Sequence, residues 1–225
     1  KGNELFSPYH METENYLVSF YGRANYSFDN RYLLTATLRA DASSRFAKDN
    51  RWGLFPSVAF AWRLIGENFL MDQDVLSDLK LRLGYGVTGQ QDILNDYPYM
   101  TTFSVSYPES SYFFGDTWYQ TIRPNGYDND IKWETTQNLD IAVETRLFDR
   151  VNLSVGYFDK RSKDLLFDVK LPLSAGSNPW GDYMNMTQLK NIGTISNRGL
   201  EIAADVDIIK TNDWTWNMGI DATLL

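Results

Sequence analysis

Two stretches of the chain concentrate side chains suited to holding a solute. Between Gly89 and Lys132 stand Tyr112, Trp118, Tyr119 and Tyr127, with Asn125, Asp128 and Asp130 as polar neighbours. Between Ser162 and Ser196 stand Trp180 and Tyr183, with Asn178 and Asp182. Flat rings stack on the apolar faces of sugars, while carboxylates and amides meet their hydroxyls, so the mixture suits a glycan. It suits a peptide nearly as well. Taken singly, each residue is more simply a packing residue, holding loop against loop or against a partner protein. Asp128-Asn129-Asp130 offers oxygens to calcium but lacks the regular spacing of a calcium loop, which favours a solvated turn. No metal or cofactor is expected.

Catalysis finds little to work with. The 225 residues include no Cys and one His, which removes thiolate chemistry, Cys-type zinc sites and any paired-His metal site. His10 reads as a loop residue, and Ser/His/Asp catalysis has no support. Glu134 and Glu144 share one strand face but lie ten residues apart, too far for a joint acid/base task. An enzyme is not expected. The net charge of −8, with 21 basic and 29 acidic side chains, argues against nucleic acid, whose phosphates need clustered cations.

The elements that must carry these residues follow from alternation. From Trp214 the even positions read Trp214, Trp216, Met218, Ile220, Ala222, Leu224, against Thr215, Asn217, Gly219, Asp221 and Thr223. Period two is a strand and cannot be a helix face. Leu200 to Ile208 repeats the pattern, and the polar Lys210–Asp213 between them makes a hairpin turn. Six more strands follow, at Tyr16–Phe28, Tyr32–Asp41, Phe55–Leu64, Leu79–Thr88, Trp133–Leu147 and Val151 to about Arg161. The longest apolar runs are about five residues, against the roughly 20 of a membrane helix, so none is expected.

Connection lengths alternate. Tight turns near Asp29, Asp149 and Thr211 share one end of an up-and-down sheet with the moderate Ile65–Asp78 segment. The long segments Ala42–Leu54, Gly89–Lys132 and Ser162–Ser196 share the other. This asymmetry is the layout of an outer-membrane barrel. Aromatic residues of the apolar face gather at the tight-turn end (Tyr26, Phe28, Tyr32, Trp62, Trp214, Trp216), where an interfacial girdle belongs. Charges such as Arg82, Glu144 and Asp205 lie on the opposite face, where they would line a lumen and meet either a solute or whatever fills it. On the apolar face, Arg198 and Asp159 lie only at the long-loop end. The fold expected is therefore all-β, a transmembrane antiparallel β-barrel. A soluble β-sandwich shows similar alternation and is the weaker alternative.

Particular segments carry a resemblance. YLLTATLRADASSRFAKDNRWGLFPSVAFAWRL (Tyr32–Leu64), LSDLKLRLGYGVTGQQDI (Leu76–Ile93), IKWETTQNLDIAVETRLFDRVNLSVGYFDKRSKDLLF (Ile131–Phe167) and NIGTISNRGLEI (Asn191–Ile202) resemble the SusC/RagA family of TonB-dependent outer-membrane transporters. They cover nearly half the chain in the expected order. Departures are small, with Ala42 where the family favours Gly and Gln90 where Asn is common.

The resemblance implies a much longer protein with a signal peptide, a plug domain, a TonB box and a barrel of 22 strands. The chain then reads as a fragment: residues 1–225 form about eight strands of one barrel domain, with plug and signal peptide outside it. The implied activity is import of oligosaccharides or peptides in the outer membrane of a Gram-negative bacterium. Implied partners are a SusD-like lipoprotein lid, the TonB complex acting through the plug region, and outer-membrane lipid. Another outer-membrane receptor (siderophore or vitamin uptake) or a passive porin stays open as the alternative.

Overall fold

The computed structural model describes residues 12–70, 73–93, 96–105, 111–124, 126–171 and 187–225, with the side chains of 104, 123 and 124 left aside. The candidates His10, Asn125, Asn178, Trp180, Asp182 and Tyr183 lie outside the described residues. In chain order the strands are β1 (Leu17–Phe28), β2 (Tyr32–Ser43), β3 (Trp52–Arg63) and β4 (Leu76–Gln90), then four three-residue strands. These are β5 (Phe103–Val105), β6 (Tyr112–Phe114), β7 (Thr117–Tyr119) and β8 (Ile122–Pro124). There follow β9 (Glu134–Leu147), β10 (Val151–Lys163), β11 (Leu166–Lys170), β12 (Thr187–Asn191), β13 (Thr194–Lys210) and β14 (Thr215–Leu224). No helix among the described residues is long and apolar enough to cross a membrane.

The eight long strands form one antiparallel sheet in the order β1-β2-β3-β4-β9-β10-β13-β14, each next to its neighbour in the chain's up-and-down path. All eight strands read from alternation are present. Register joins their apolar positions into continuous rows. One row runs Tyr26–Leu34–Phe60–Leu83–Ile141–Tyr157–Leu200–Leu224, each pair directly opposite across its ladder. Because the side-chain period is two, a slip by one residue would send a whole strand's apolar set to the charged face. Asp159 does sit on the apolar face, but it meets Arg198 directly across the ladder at the loop end. Among the described residues β1 pairs only with β2, and β14 only with β13, so the sheet is open and has two edges.

Three details differ from the alternation reading. The long connections are not unstructured: Gly89–Lys132 holds the two hairpins β5/β8 and β6/β7, and Ser162–Ser196 holds the hairpin β11/β12. In β13 a bulge between Asp207 and Ile209 lets Ile209, rather than Ile208, face Trp216. An inserted residue resets the parity, and the adjacent pair Ile208-Ile209 was its signal. Trp133, read as the first residue of a strand, instead turns into a small core with Phe46, Phe55 and Ile131, all at most 7% exposed.

That core sits at the loop end. Phe46 and Phe55 lie 5.2 and 5.3 Å from Trp133, tilted and edge-on, and the Trp133 indole N–H donates to the Arg51 carbonyl at 3.0 Å. The Phe55 ring lies across Gly53 and Gly89, where any Cβ would overlap it. The tight turns at the other end use positive φ at Asp29, Asn30, Phe148 and Asp149. Such φ values match primed hairpin turns, and Asp and Asn tolerate them best.

Candidate functional site

Two groups of candidates stand at different heights on the sheet. At the loop end, the β6/β7 hairpin turns at Gly115, whose φ of 62° suits a residue without Cβ. Its cross-strand pairs are aromatic. Tyr112 stacks on Tyr119 at 5.9 Å and 29°, and on the opposite face Phe113 meets Trp118 at 5.2 Å. Trp118 is 67% exposed, and Tyr112, Phe113, Phe114 and Tyr119 are exposed with it. The hairpin therefore offers rings on both faces. Of the aromatic candidates read from sequence, Tyr112, Trp118 and Tyr119 lie on this one hairpin.

Tyr127 and Asp128 are placed apart from that hairpin's ladder. The Tyr127 carbonyl accepts from the Gln188 side chain, and the Asp128 N–H donates to the Pro98 carbonyl at 3.1 Å. Asp128 Oδ1 accepts the Asp130 N–H at 2.9 Å. This carboxylate caps its own turn, which is the solvated-turn reading of Asp128–Asp130. Among the described residues no group of three or more His, Asp or Glu could hold a metal ion.

On the charged face, Glu144 receives Lys80 Nζ at 2.6 Å and Arg82 Nε at 2.9 Å across the β4–β9 ladder. Arg82 also borders a depression of about 360 Å³ whose floor is small (Ala59, Gly84, Ala142, Gly156) and whose rim includes Asp140 and Glu201. Glu144 and Asp205 border a second one of about 300 Å³ with Asp78 and Arg146. Asp205 folds over Gly219, where a Cβ would collide with its carboxylate. Arg82, Glu144 and Asp205 thus share a face and two adjoining hollows rather than one site.

Two networks carried no sequence signal. Arg45 pairs with Asp96 at 3.0 Å and with Asp92 at 3.1 Å, tying the β2–β3 loop to the start of the long one. Hydrogen bonds from Thr13 and then Arg45 hold the Asp96 carboxyl below its ordinary range. At the tight-turn end Glu67 accepts Tyr32 Oη–H at 2.7 Å, the Trp62 indole N–H at 3.0 Å and Arg31 at 3.2 Å. The Tyr32 and Trp62 donors favour the charged form and hold Glu67 below the usual carboxylate range. Tyr32 and Trp62 stack at 6.0 Å and 24°, so one carboxylate fixes two rings of the aromatic girdle. Glu67 sits in a short connection of two 3-10 turns (Leu64–Gly66 and Asn68–Leu70), where alternation says nothing.

The family model for TonB-dependent receptor-like β-barrels matches residues 2–224. The TonB-dependent receptor SusC of Bacteroides thetaiotaomicron is 44% identical over 212 residues, which is 94% of this chain and 20% of that protein. TonB-dependent receptor P3 of Formosa agariphila is 37% identical over 213 residues, 94% of this chain and 20% of that protein. Among solved structures, the RagAB peptide transporter matches 99% of the chain and 24% of its own, at 26% identity and a TM-score of 0.77. The chain thus spans about a fifth of the length of the curated relatives it matches.

Proposed function

Because the chain belongs to the TonB-dependent receptor-like β-barrel family, we propose that its eight strands are part of the wall of an outer-membrane nutrient importer of the SusC/RagA type. Residues 1–225 are then one portion of a single barrel domain of about 22 strands. Both sheet edges pair with further strands of the same polypeptide, since unpaired backbone groups in hydrocarbon cost several kcal/mol each. The apolar rows face lipid and the charged face lines the lumen. Arg82, Glu144 and Asp205 border the path or hold the plug domain that couples it to TonB.

The observation that carries this reading is the continuous apolar face, in register across all eight strands, backed by a face bearing Lys80, Arg82, Glu144 and Asp205. The solute is an oligosaccharide or a peptide, and a SusD-like lipoprotein closes the loop end. Support for the loop end as the solute side comes from Tyr112, Trp118 and Tyr119, whose exposed rings suit stacking, with Tyr127 and Asp128 in the same long connection. Trp180 and Tyr183 belong to the same proposal through their sequence alone. Transport, the role general to this receptor family, makes the protein a carrier in this reading.

The experiment is uptake of fluorescent oligosaccharides and oligopeptides by cells expressing the full-length receptor. Accumulation of one class, abolished by a protonophore and by loss of TonB, is the expected result. Uptake that persists without energy would mark a passive porin, and uptake of ferric siderophores alone would move the protein to the other receptor class.

A further inference from the structure

Register sets the level at which the apolar face ends. On β3 that face carries Trp62 at the tight-turn end and, at the loop end, Trp52, which stacks on Phe20 at 6.2 Å. The two tryptophans are ten residues, or five steps of one face, apart, which is about 33 Å of strand at about 3.3 Å per residue. Tilted by about 35–45° in a barrel wall, that length stands about 25 Å tall, the height of a lipid-facing apolar band. On β13 the level of Trp216 is that of Ile209. Five steps up the same face from there, with the bulge residue discounted, lead to Arg198.

Where β3 closes its apolar face with an aromatic ring, β10 and β13 close theirs with charge. Asp159, Arg161 and Lys163 continue the alternation of Val155 and Tyr157, and Arg198 continues that of Ile202 and Leu200. The β10–β13 ladder holds its register from Val151 opposite Val206 to Lys163 opposite Thr194, so these side chains share the face of the apolar rows. Asp159 is the one carboxylate among them. It stands opposite Arg198, but the ion pair it makes is with Arg161, at 4.0 Å and beyond hydrogen-bond range. The Arg161 side chain is 47% exposed. Arg198 is exposed and has no ion-pair partner among the described residues.

Three cations against one carboxylate leave two positive charges at the edge of the apolar band. Arg161 lies opposite Ser196, which makes Arg198 its diagonal neighbour, about 7–8 Å away at the backbone and within reach of long side chains. We propose that Arg161 and Arg198, with Lys163, bind the phosphate monoester of a lipid headgroup in the leaflet at the loop end; this rests on the eight strands forming barrel wall. A phosphate monoester carries about −1.5 to −2 charges at pH 7 and three acceptor oxygens. It therefore balances the patch and takes a planar fork from each arginine. The Gln137 amide and the Ser196 hydroxyl flank Arg161 across its two ladders and add donors. The acyl chains lie along the apolar row below, at Ile141, Tyr157 and Leu200.

The test is native mass spectrometry of the full-length receptor in mild detergent, with phosphatidic acid, diacylglycerol and inorganic phosphate as probes. Phosphatidic acid should be retained and diacylglycerol not. Retention of phosphatidic acid should fall at least fivefold in the double variant Arg161→Gln/Arg198→Gln. Lys160→Gln, next to Arg161 in sequence but on the lumen face, should leave it unchanged. Asp159→Asn, which removes the one carboxylate, should raise it about two- to threefold, and carries the test should the double variant not fold. Equal retention of diacylglycerol would mean a seat for hydrocarbon alone, and binding of inorganic phosphate without phosphatidic acid would remove the lipid; either overturns the proposal. Retention that is the same in the native protein, the double variant and Asp159→Asn overturns it as well. Heat-modifiable migration separates two levels of failure. A heat-modifiable receptor without selective retention loses this site and keeps the barrel wall, whereas a receptor that is not heat-modifiable loses both.

Discussion

The two ends of the sheet solve different problems with the same strands. At the tight-turn end, one carboxylate, Glu67, holds two stacked rings and an arginine, and the β1–β2 and β9–β10 turns are three residues long. At the loop end, order comes from a miniature apolar core around Phe46 and Trp133, and beyond it the β6/β7 hairpin extends with its rings exposed. In the proposed importer the first arrangement would set the barrel's height at an interface. The second builds a firm platform from which a contact surface projects. Under the proposed function, anchoring and recognition would be separated by the length of a strand, so either could change without the other.

If that separation is real, damage at one end should stay there. The largest effect is expected for Phe46→Ala. The ring is fully buried, and emptying such a site typically costs about 3–5 kcal/mol. Limited proteolysis of the full-length receptor should then cut the Ala42–Leu54 and Gly89–Lys132 segments faster while sparing the Asp29 and Thr211 turns. Equal loss of protection at both ends would mean that the sheet and its loop core fold as one unit. Midway between the ends, Ile220→Arg should cost about 2–4 kcal/mol on folding into vesicles, and Asn217→Arg on the opposite face little. Equal costs would reverse the assignment of faces.

How much of this was legible beforehand depended on the range of the interactions involved. Strand faces are local: Leu81, Leu83 and Tyr85 alternate with Arg82 and Gly84 whatever their neighbours do, so the eight strands could be read directly. Loop structure is not local. Phe46 gains its burial from Trp133, nearly ninety residues on, and no spacing rule links the two. A lone apolar residue in a polar loop was the available hint. The Glu67 network has the same character, because its donors come from β2 and β3. The aromatic candidates were legible as a composition, but only the hairpin register pairs Tyr112 with Tyr119 and turns Phe113 and Trp118 to the other face.

A smaller and pH-dependent effect is expected for Glu67→Gln. Hydrogen bonding depresses the native carboxyl below its unfolded value, so its contribution is present above the unfolded pKa and is lost as pH falls through the native one. The native protein should therefore melt above the variant at neutral pH, with the gap closing below the ordinary carboxylate range near pH 4. The change should appear as mobility of Tyr32 and Trp62, measured by Trp fluorescence anisotropy, with the loop end undisturbed. A gap that persists unchanged at low pH would mean that shape, rather than charge, holds the rings.

The smallest effect on stability is expected where the change in function is largest. Trp118 is 67% exposed and meets Phe113 across the hairpin, a cross-strand contact of the kind worth about 0.2–1 kcal/mol. Trp118→Ala should accordingly leave the unfolding midpoint of the full-length receptor almost unmoved. A ring that stacks on a solute contributes about 1.4 kcal/mol for each tenfold in affinity, so capture of the transported oligosaccharide or peptide should weaken about tenfold. Tyr112→Ala, on the hairpin's other face, separates the possibilities. If both substitutions weaken solute binding, the solute threads past both faces of the hairpin. If Trp118→Ala alone does so, one face meets solute and the other is left for the lipoprotein lid. Unchanged affinity in both variants, with the lid lost in a pull-down, would remove Tyr112, Trp118 and Tyr119 from the solute path and make the hairpin a partner contact instead.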